Sequence, residues 1–457
     1  MRLVLATEKQ GVENCYLLWT VFEKAIALAK RRCWQDSRGQ SSMRVFLTGT
    51  SRVYLIAKKH SYYLLGLCVF ALSFFIHSPR PFGLAEYSDL QSLFFQVFSR
   101  SDRWYGGKPE TLGIPYVDFK FEYPPVVGVI FFLTSVFSLL ITDATGISRP
   151  TVFYTILGLT SALPAYLLYL KIMKYMSKTL RSPASRLPFA IAGFGITYYL
   201  VYNFDIIAIA FATVSLALLI RGRSTSAGVL LGLSVAAKIL TGIILVPSLL
   251  YLARKELRSA VGYFLAFSLT VLGSFGPVYM FASRGLYDMV KWHATWYCEN
   301  CFYVLIVKDL GDALWRLVSL LLMMVAPLVV MVMIRKADAT LKLVVRSLLM
   351  IPAAVSLSFV YSPQMNVMIA PSYLLTNTTT MLGILALSDF LNMLIMIFFF
   401  RSGTLCSVFG IGTCPPVWGR ASPVQWIAFC RIALLWLFIV TGVMAYRARQ
   451  RTNPSPS

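Results

Sequence analysis

Between residues 78 and 123 the chain carries Glu86, Asp89, Asp102, Glu110, Asp118 and Glu122, six of its 19 acidic residues in about a tenth of its length. Tyr87, Trp104, Tyr105, Tyr116, Phe119, Phe121 and Tyr123 are interleaved with them. Carboxylates accept hydrogen bonds from hydroxyls, and aromatic faces stack on C–H surfaces, so this mixture suits the handling of a sugar. The plainer alternative is a solvated loop. Asp118 and Glu122, in DFKFE, fall on one side if that stretch is extended. A second group lies far along the chain. Lys238 interrupts the apolar run GVLLGLSVAAKILTGIILV, where a cation is costly enough that function is the default reading; a snorkelling lysine paired with Asp205 is the alternative. His293 and Glu299 share the stretch WHATWYCENC, and Arg149 precedes an apolar segment that it could simply anchor.

The elements that position these residues must be membrane helices. Hydrophobic residues make up 58% of the 457 and charged residues 13%, with a mean hydropathy of +0.69. So few charges cannot cover the surface of a soluble globule, which excludes a soluble enzyme, a coiled coil and a disordered chain. The net charge of +23 would suggest nucleic acid in a soluble protein. Here the basic residues sit between apolar runs, as membrane topology requires, and no nucleic-acid partner is expected. Cys298 and Cys301 read as a loop disulfide or two packing thiols, and the eight cysteines make no zinc pattern. With no His and carboxylate cluster at ligand spacing, no metal is expected.

Lys58 and Lys59 place the start of the first span, about 61–78, in the cytoplasm. The basic clusters at 171–186, 221–223, 254–258, 335–342 and 447–451 are then cytoplasmic if Asp205, Lys238 and the loops 282–308 and 401–424 are external. This assignment requires short crossings near 188–202, 206–220, 226–237 and 239–253. The apolar run 124–142 breaks the parity unless it starts and ends on the external face, as a juxtamembrane or re-entrant helix. The expected fold is therefore all-α and polytopic, with about 12 spans and both termini cytoplasmic. Residues 1–59 form a cytoplasmic segment with an amphipathic stretch at about 15–32, and Met43 is an alternative start. A membrane core follows over 60–375, with external loops 79–149 and 282–308, and then C-terminal helices and a short tail over 376–457.

EYSDLQSLFFQVF and PYVDFKFEYPPVVGVIFFL, then YNFDIIAIAFATVSLALLIRGRSTSAGVLLGLSVAAKILTGIILVPSLL, WHATWYCENCFY and YSPQMNVMIAP, occur in that order over about residues 60–375. This succession resembles the GT-C class of membrane glycosyltransferases. It is most similar to polyprenol-phosphate-mannose-dependent mannosyltransferases such as those that build phosphatidylinositol mannosides, glycosyltransferase family 87. The resemblance implies a cell-membrane enzyme that takes a sugar, by similarity mannose, from a polyprenyl- or dolichyl-phosphate carrier. It delivers the sugar externally, with inversion, to a hydroxyl of a glycolipid or glycan. No cofactor beyond the lipid-linked donor is implied, and nothing resembles a nucleotide phosphate loop. Asp89, in SDL just past the first span, matches the catalytic aspartate. Its other reading is a helix N-cap, a role that Ser88 could take instead. Lys238, His293 and Arg149 are implied as donor-phosphate ligands. Asp118, Glu122, Tyr123 and Glu299 are acceptor-side or structural, and Asp205 and Gln364 are further candidates. Two departures stand out: Asn203-Phe204 before the WDLLA-type aspartate, and Ile239-Leu240-Thr241 after Lys238. A lipid or solute transporter, with Asp205, Lys238 and Arg431 as gating charges, is the competing reading, and a non-catalytic subunit of a glycan-assembly complex is another.

Overall fold

The computed structural model describes residues 61–307, 309–334 and 339–452, the side chains of the last four excepted. The expectations for 1–59, including the stretch at 15–32 and the Met43 start, lie outside the described residues. The described chain from Tyr63 onward forms one unit of helices, and among the described residues no strand occurs. Seven helices are long and apolar enough to cross a membrane, so the chain is an integral membrane protein.

Helix α1 spans Ser61–His77. The loop after it carries α2, Asp89–Ser99, which Ser88 caps by accepting from the Gln91 N–H at 3.3 Å. The cap is therefore not Asp89, which occupies the first helical position. Helix α3, Pro125–Thr145, opens with proline at its first position and closes on Gly146 at φ +71°. Its 21 residues make about 31 Å, a full membrane crossing by length alone. A three-residue turn leads to α4, Arg149–Thr179, which includes one π-turn at Gly158–Ala162.

Short helices occupy the stretches where the sequence calls for short crossings. α5, Leu187–Ala192, and α6, Phe194–Tyr199, are two halves separated at Gly193. α7, Asp205–Ile220, and α8, Ser224–Ala237, form a hairpin, followed by α9, Ile239–Ala253. Sixteen and fourteen residues reach only about 24 and 21 Å, less than a hydrocarbon core of about 30 Å. Helix α10, Leu257–Thr295, kinks at Ala282, five residues past Pro277. The sequence reading took 282–308 as loop, but 283–295 is helical and docks on the first loop. There Tyr105 Oη donates to Asp288 at 2.7 Å, and Arg103 lies 4.5 Å from the Trp292 ring. Ser283, Arg284, Asp288 and Lys291 break the apolar pattern that marks a span, which hid this helix. The remaining long helices are α11, Ala313–Met333; α12, Ala339–Ser356; α13, Thr379–Phe399; and α15, Pro423–Thr452, with the short α14, Ser402–Val408, before the last.

The hairpin that ends in Lys238 is fixed by small residues. Gly228 and Gly232 lie one turn apart on α8 and meet α10: a Cβ on Gly232 would stand 2.6 Å from Thr270 Cβ and 3.0 Å from the Phe267 carbonyl, and one on Gly228 would strike the Tyr263 carbonyl. Close backbone approach at a small-xxx-small pair is how helices associate where lipid removes the hydrophobic drive. Replacing Gly232 by Leu is therefore expected to destabilise the protein by about 1–3 kcal/mol, as core overpacking does. Thermal unfolding of the detergent-solubilised variant checks this, and an unchanged midpoint would refute the contact.

Candidate functional site

The site is assembled at helix interruptions. Breaking a helix frees carbonyls and N–H groups that need partners in an apolar surround. Around the broken pair α5 and α6 those partners are specific. Tyr169 Oη donates to the Ala190 carbonyl at 2.8 Å, Tyr166 Oη to that of Ile191 and Tyr154 Oη to that of Val201 at 3.1 Å. His77 Nε2 lies 2.8 Å from the Tyr198 carbonyl, and the Val201 N–H donates to Ser73 Oγ at 3.1 Å. The Gly195 N–H reaches the buried Asp389 at 3.0 Å. Held this way, the turn 200–204 presents Asn203, whose own Oδ1 accepts the Phe204 N–H at 2.5 Å.

Asn203 Nδ2 donates to Asp89 Oδ2 at 2.8 Å and lies 3.4 Å from Tyr123 Oη. Gln364 Nε2, in the turn between α12 and α13, donates to the same Asp89 oxygen at 3.0 Å. Two amides from distant parts of the chain thus fix Oδ2, while Oδ1 has no hydrogen-bond partner among the described residues. Burial pushes the Asp89 carboxyl up to about 8, with Glu299 and Glu122 adding to the shift and Lys238 opposing it. Burial also raises Glu299, which accepts from Trp296 Nε1 at 2.7 Å. The Tyr123 phenol is driven well above its ordinary range, again by burial first, so it stays neutral.

Compared with known proteins, the chain matches no family model and no curated protein.

Lys238 ends α8 in an extended conformation, and its Nζ stands 2.9 Å from Asp205 Oδ1 at the start of α7. A pair of hydroxyls pins this break: Ser234 Oγ bonds the Ala208 carbonyl at 2.7 Å and Thr241 Oγ1 at 2.8 Å. The other oxygen of Asp205 is buried with no hydrogen-bond partner among the described residues. Glu122 is held by Arg103 at 3.0 Å. The structure therefore brings Asp89, Glu122, Tyr123, Asp205, Lys238, Glu299 and Gln364 into one cluster, with Asn203 as a member that the sequence reading listed only as a departure.

Other candidates lie elsewhere. Asp118 accepts the Ile114 N–H at 2.6 Å and closes its own loop. Arg149 bonds Ser138 Oγ and the Ser135 carbonyl, both at 3.3 Å, and covers the Phe98 ring at 4.4 Å, fastening α3 to α4 and α2. His293 Nδ1 is 2.9 Å from the Met289 carbonyl one turn back on α10. Cys298 and Cys301 form a disulfide, and so do Cys406 and Cys414, a pair that the sequence reading did not make although both lie in one loop. Among the described residues no three His, Cys, Asp or Glu side chains gather as a metal site.

Removing the Lys238 cation strands the enclosed Asp205. Lys238→Met is expected to cost about 3 kcal/mol, the scale for breaking a buried pair, and Asp205→Asn in the same chain should recover most of it. A thermal-unfolding cycle over the four variants tests the coupling, and additive effects would show that the pair contributes nothing to the fold.

Proposed function

We propose that the chain is a GT-C-type membrane glycosyltransferase. In this reading it moves a hexose, mannose by resemblance, from a polyprenyl- or dolichyl-phosphate carrier to a hydroxyl of a glycolipid or glycan. The observation that carries the reading is Asp89: an enclosed carboxyl with one oxygen fixed by two amides and the other without a hydrogen-bond partner among the described residues, its pKa pushed up to about 8 by burial. The acceptor oxygen attacks the anomeric carbon, the bond from that carbon to the phosphate oxygen breaks on the opposite side, and the acceptor proton passes to Asp89 Oδ1. Inversion follows from the single displacement. A phosphate needs no strong acid to leave, so one base suffices, and a base titrating near working pH is the effective kind. Lys238 supplies the cation for the departing phosphate, either sharing its charge with Asp205 or leaving it. Glu299, Glu122 and the surrounding rings receive the sugar hydroxyls and C–H faces.

The topology belongs to the same reading. The short helices also cross, and with the helical segment 366–375 counted they make 12 spans with both termini cytoplasmic and the site on the outside of the cell membrane. Both disulfides fall in loops placed outside, the oxidising side, which supports that orientation. Helix α3 then lies along the external face in spite of its length. Cysteines introduced at Lys108 and Thr145, with Cys15, Cys33, Cys68 and Cys430 replaced, should both react with an impermeant thiol reagent added outside. Labelling of Lys108→Cys alone would make α3 a crossing helix and overturn the juxtamembrane assignment.

Asp89→Asn keeps the hydrogen-bond geometry but cannot take a proton. Transfer from a labelled polyprenyl-phosphate mannose to a glycolipid acceptor should fall by about 10²-fold or more. In the wild type the base-competent, ionised fraction of Asp89 grows as pH rises, because its pKa lies above the ordinary carboxylate range. The rate should therefore climb from pH 6, pass half its maximum near pH 8 and level off about one unit or more above that, where Asp89 is almost fully ionised. Near-normal transfer by Asp89→Asn would remove it as the base. With the fold secured in Lys238→Met/Asp205→Asn, the dependence of rate on donor concentration separates a phosphate ligand from a structural cation.

A further inference from the structure

Arg431 has no part in the chemistry above, yet it is a fully buried cation on α15. Such a group in a membrane helix is costly enough to call for a use. Its guanidinium stacks 3.5 Å from the centre of the Tyr361 ring. Nη1 donates to Asn392 Oδ1 at 2.6 Å, and Nη2 donates to the Asn300 carbonyl at 2.7 Å and the Tyr361 carbonyl at 3.3 Å. All three partners sit beside site residues. Asn300, left-handed at φ +46°, follows Glu299. Tyr361 stands three residues before Gln364, and its Oη donates to Asn366 Oδ1 at 2.6 Å. Asn392 donates in turn to the Pro363 carbonyl at 2.8 Å, immediately before Gln364. The two loops are also joined directly: the Glu299 N–H reaches the Phe359 carbonyl at 3.2 Å, and the Tyr361 N–H reaches that of Glu299 at 3.0 Å.

We infer that Arg431 is a positioning residue: it clamps the 299–301 loop to the 361–364 turn and so sets Glu299 and Gln364 against Asp89. This deepens the glycosyltransferase reading and rests on it for its catalytic meaning, but the clamp itself can be read without turnover. Lysine in place of arginine keeps the charge while losing the fork and the stacked plane that reach three acceptors together. Without the clamp Gln364 withdraws its N–H from Asp89. The carboxylate then loses a donor that favours its charged form, and its titration moves to higher pH. The ionisable groups around Asp89 are Tyr87, Glu122 and Tyr123 from the first loop, Tyr199 from the end of α6, Tyr202 and Asp205 from the turn before α7 and its first residue, Lys238 from the end of α8, and Glu299. None of these is altered by the substitution.

The measurement is the pH dependence of Asp89 modification by dicyclohexylcarbodiimide, which attacks the protonated carboxyl, followed by peptide mass spectrometry on the full-length protein in detergent. Arg431→Lys should raise the midpoint by about half a pH unit or more, Gln364→Leu should do the same, and the double variant should add nothing further. In the transfer assay Arg431→Lys should lower kcat by about 10²-fold and leave the donor KM within threefold, as expected for misplacement near the reacting groups. If Arg431→Lys does not fold, Asn392→Leu removes one arm of the clamp and should shift the midpoint in the same direction by less. An unmoved midpoint in Arg431→Lys, or shifts that add in the double variant, would overturn the assignment. Absence of sugar transfer by the wild type would refute the glycosyltransferase reading, while the carbodiimide titration would still decide the clamp.

Discussion

The polar side chains that the membrane helices bring to the site depend on one constraint: where a helix breaks in an apolar surround, the freed backbone groups must find partners inside the protein. The chain breaks at Gly193, at Lys238 and between Ser356 and Thr379. Buried tyrosines, His77, Ser73 and Asp389 absorb the first break, the hydroxyls of Ser234 and Thr241 the second, and Arg431 with Asn392 the third. Each satisfied break delivers one polar side chain to the same place: Asn203, Lys238 and Gln364. The irregular backbone is thus both the cost and the means of building a polar site between apolar helices.

The charge balance at that place follows from the same geometry. Asp89, Glu122, Asp205 and Glu299 lie close enough to influence one another, against Lys238 and the Arg103 that holds Glu122. Burial does most to raise Asp89, and repulsion from its carboxylate neighbours adds to the shift, so one carboxyl keeps its proton near neutral pH. A carboxyl raised from its ordinary range toward working pH is poised to exchange that proton.

The sequence made some of this arrangement readable because charge and hydropathy are local quantities. Asp205 and Lys238 could be placed at helix ends from the basic clusters alone, and the four stretches read as short crossings are indeed short helices. Ser88 and Asp89 could be separated as cap and free carboxyl only in three dimensions. What stayed hidden was partnership over distance. Gln364 meets Asp89 across 275 residues; Arg431 meets Asn300 across 131. No periodicity marks such pairs. Asn203 was visible only as a deviation from a resembling motif, and its amide turned out to hold the carboxylate. Helix 283–295 was concealed by its polar face, which docks on the first loop instead of facing lipid. Arg149 and His293 have the right chemistry for a phosphate, but their bonds go to neighbouring turns.

The placement of the cluster also bears on the choice between transfer and transport. α7 and α8 run antiparallel, so Asp205 at the start of one and Lys238 at the end of the other necessarily share one end of the hairpin. Asp89, Glu122 and Glu299 arrive at that same end from loops. A carrier that moved a polar solute through the bundle would need polar groups continuing toward the opposite end, and α7 and α8 carry no charged side chain between Asp205 and Lys238 except at the connecting turn, Arg221 and Arg223. A polar cluster at one end of this hairpin fits the proposed transfer at one membrane surface. It suits a substrate whose apolar part stays in the bilayer while its polar head enters the site.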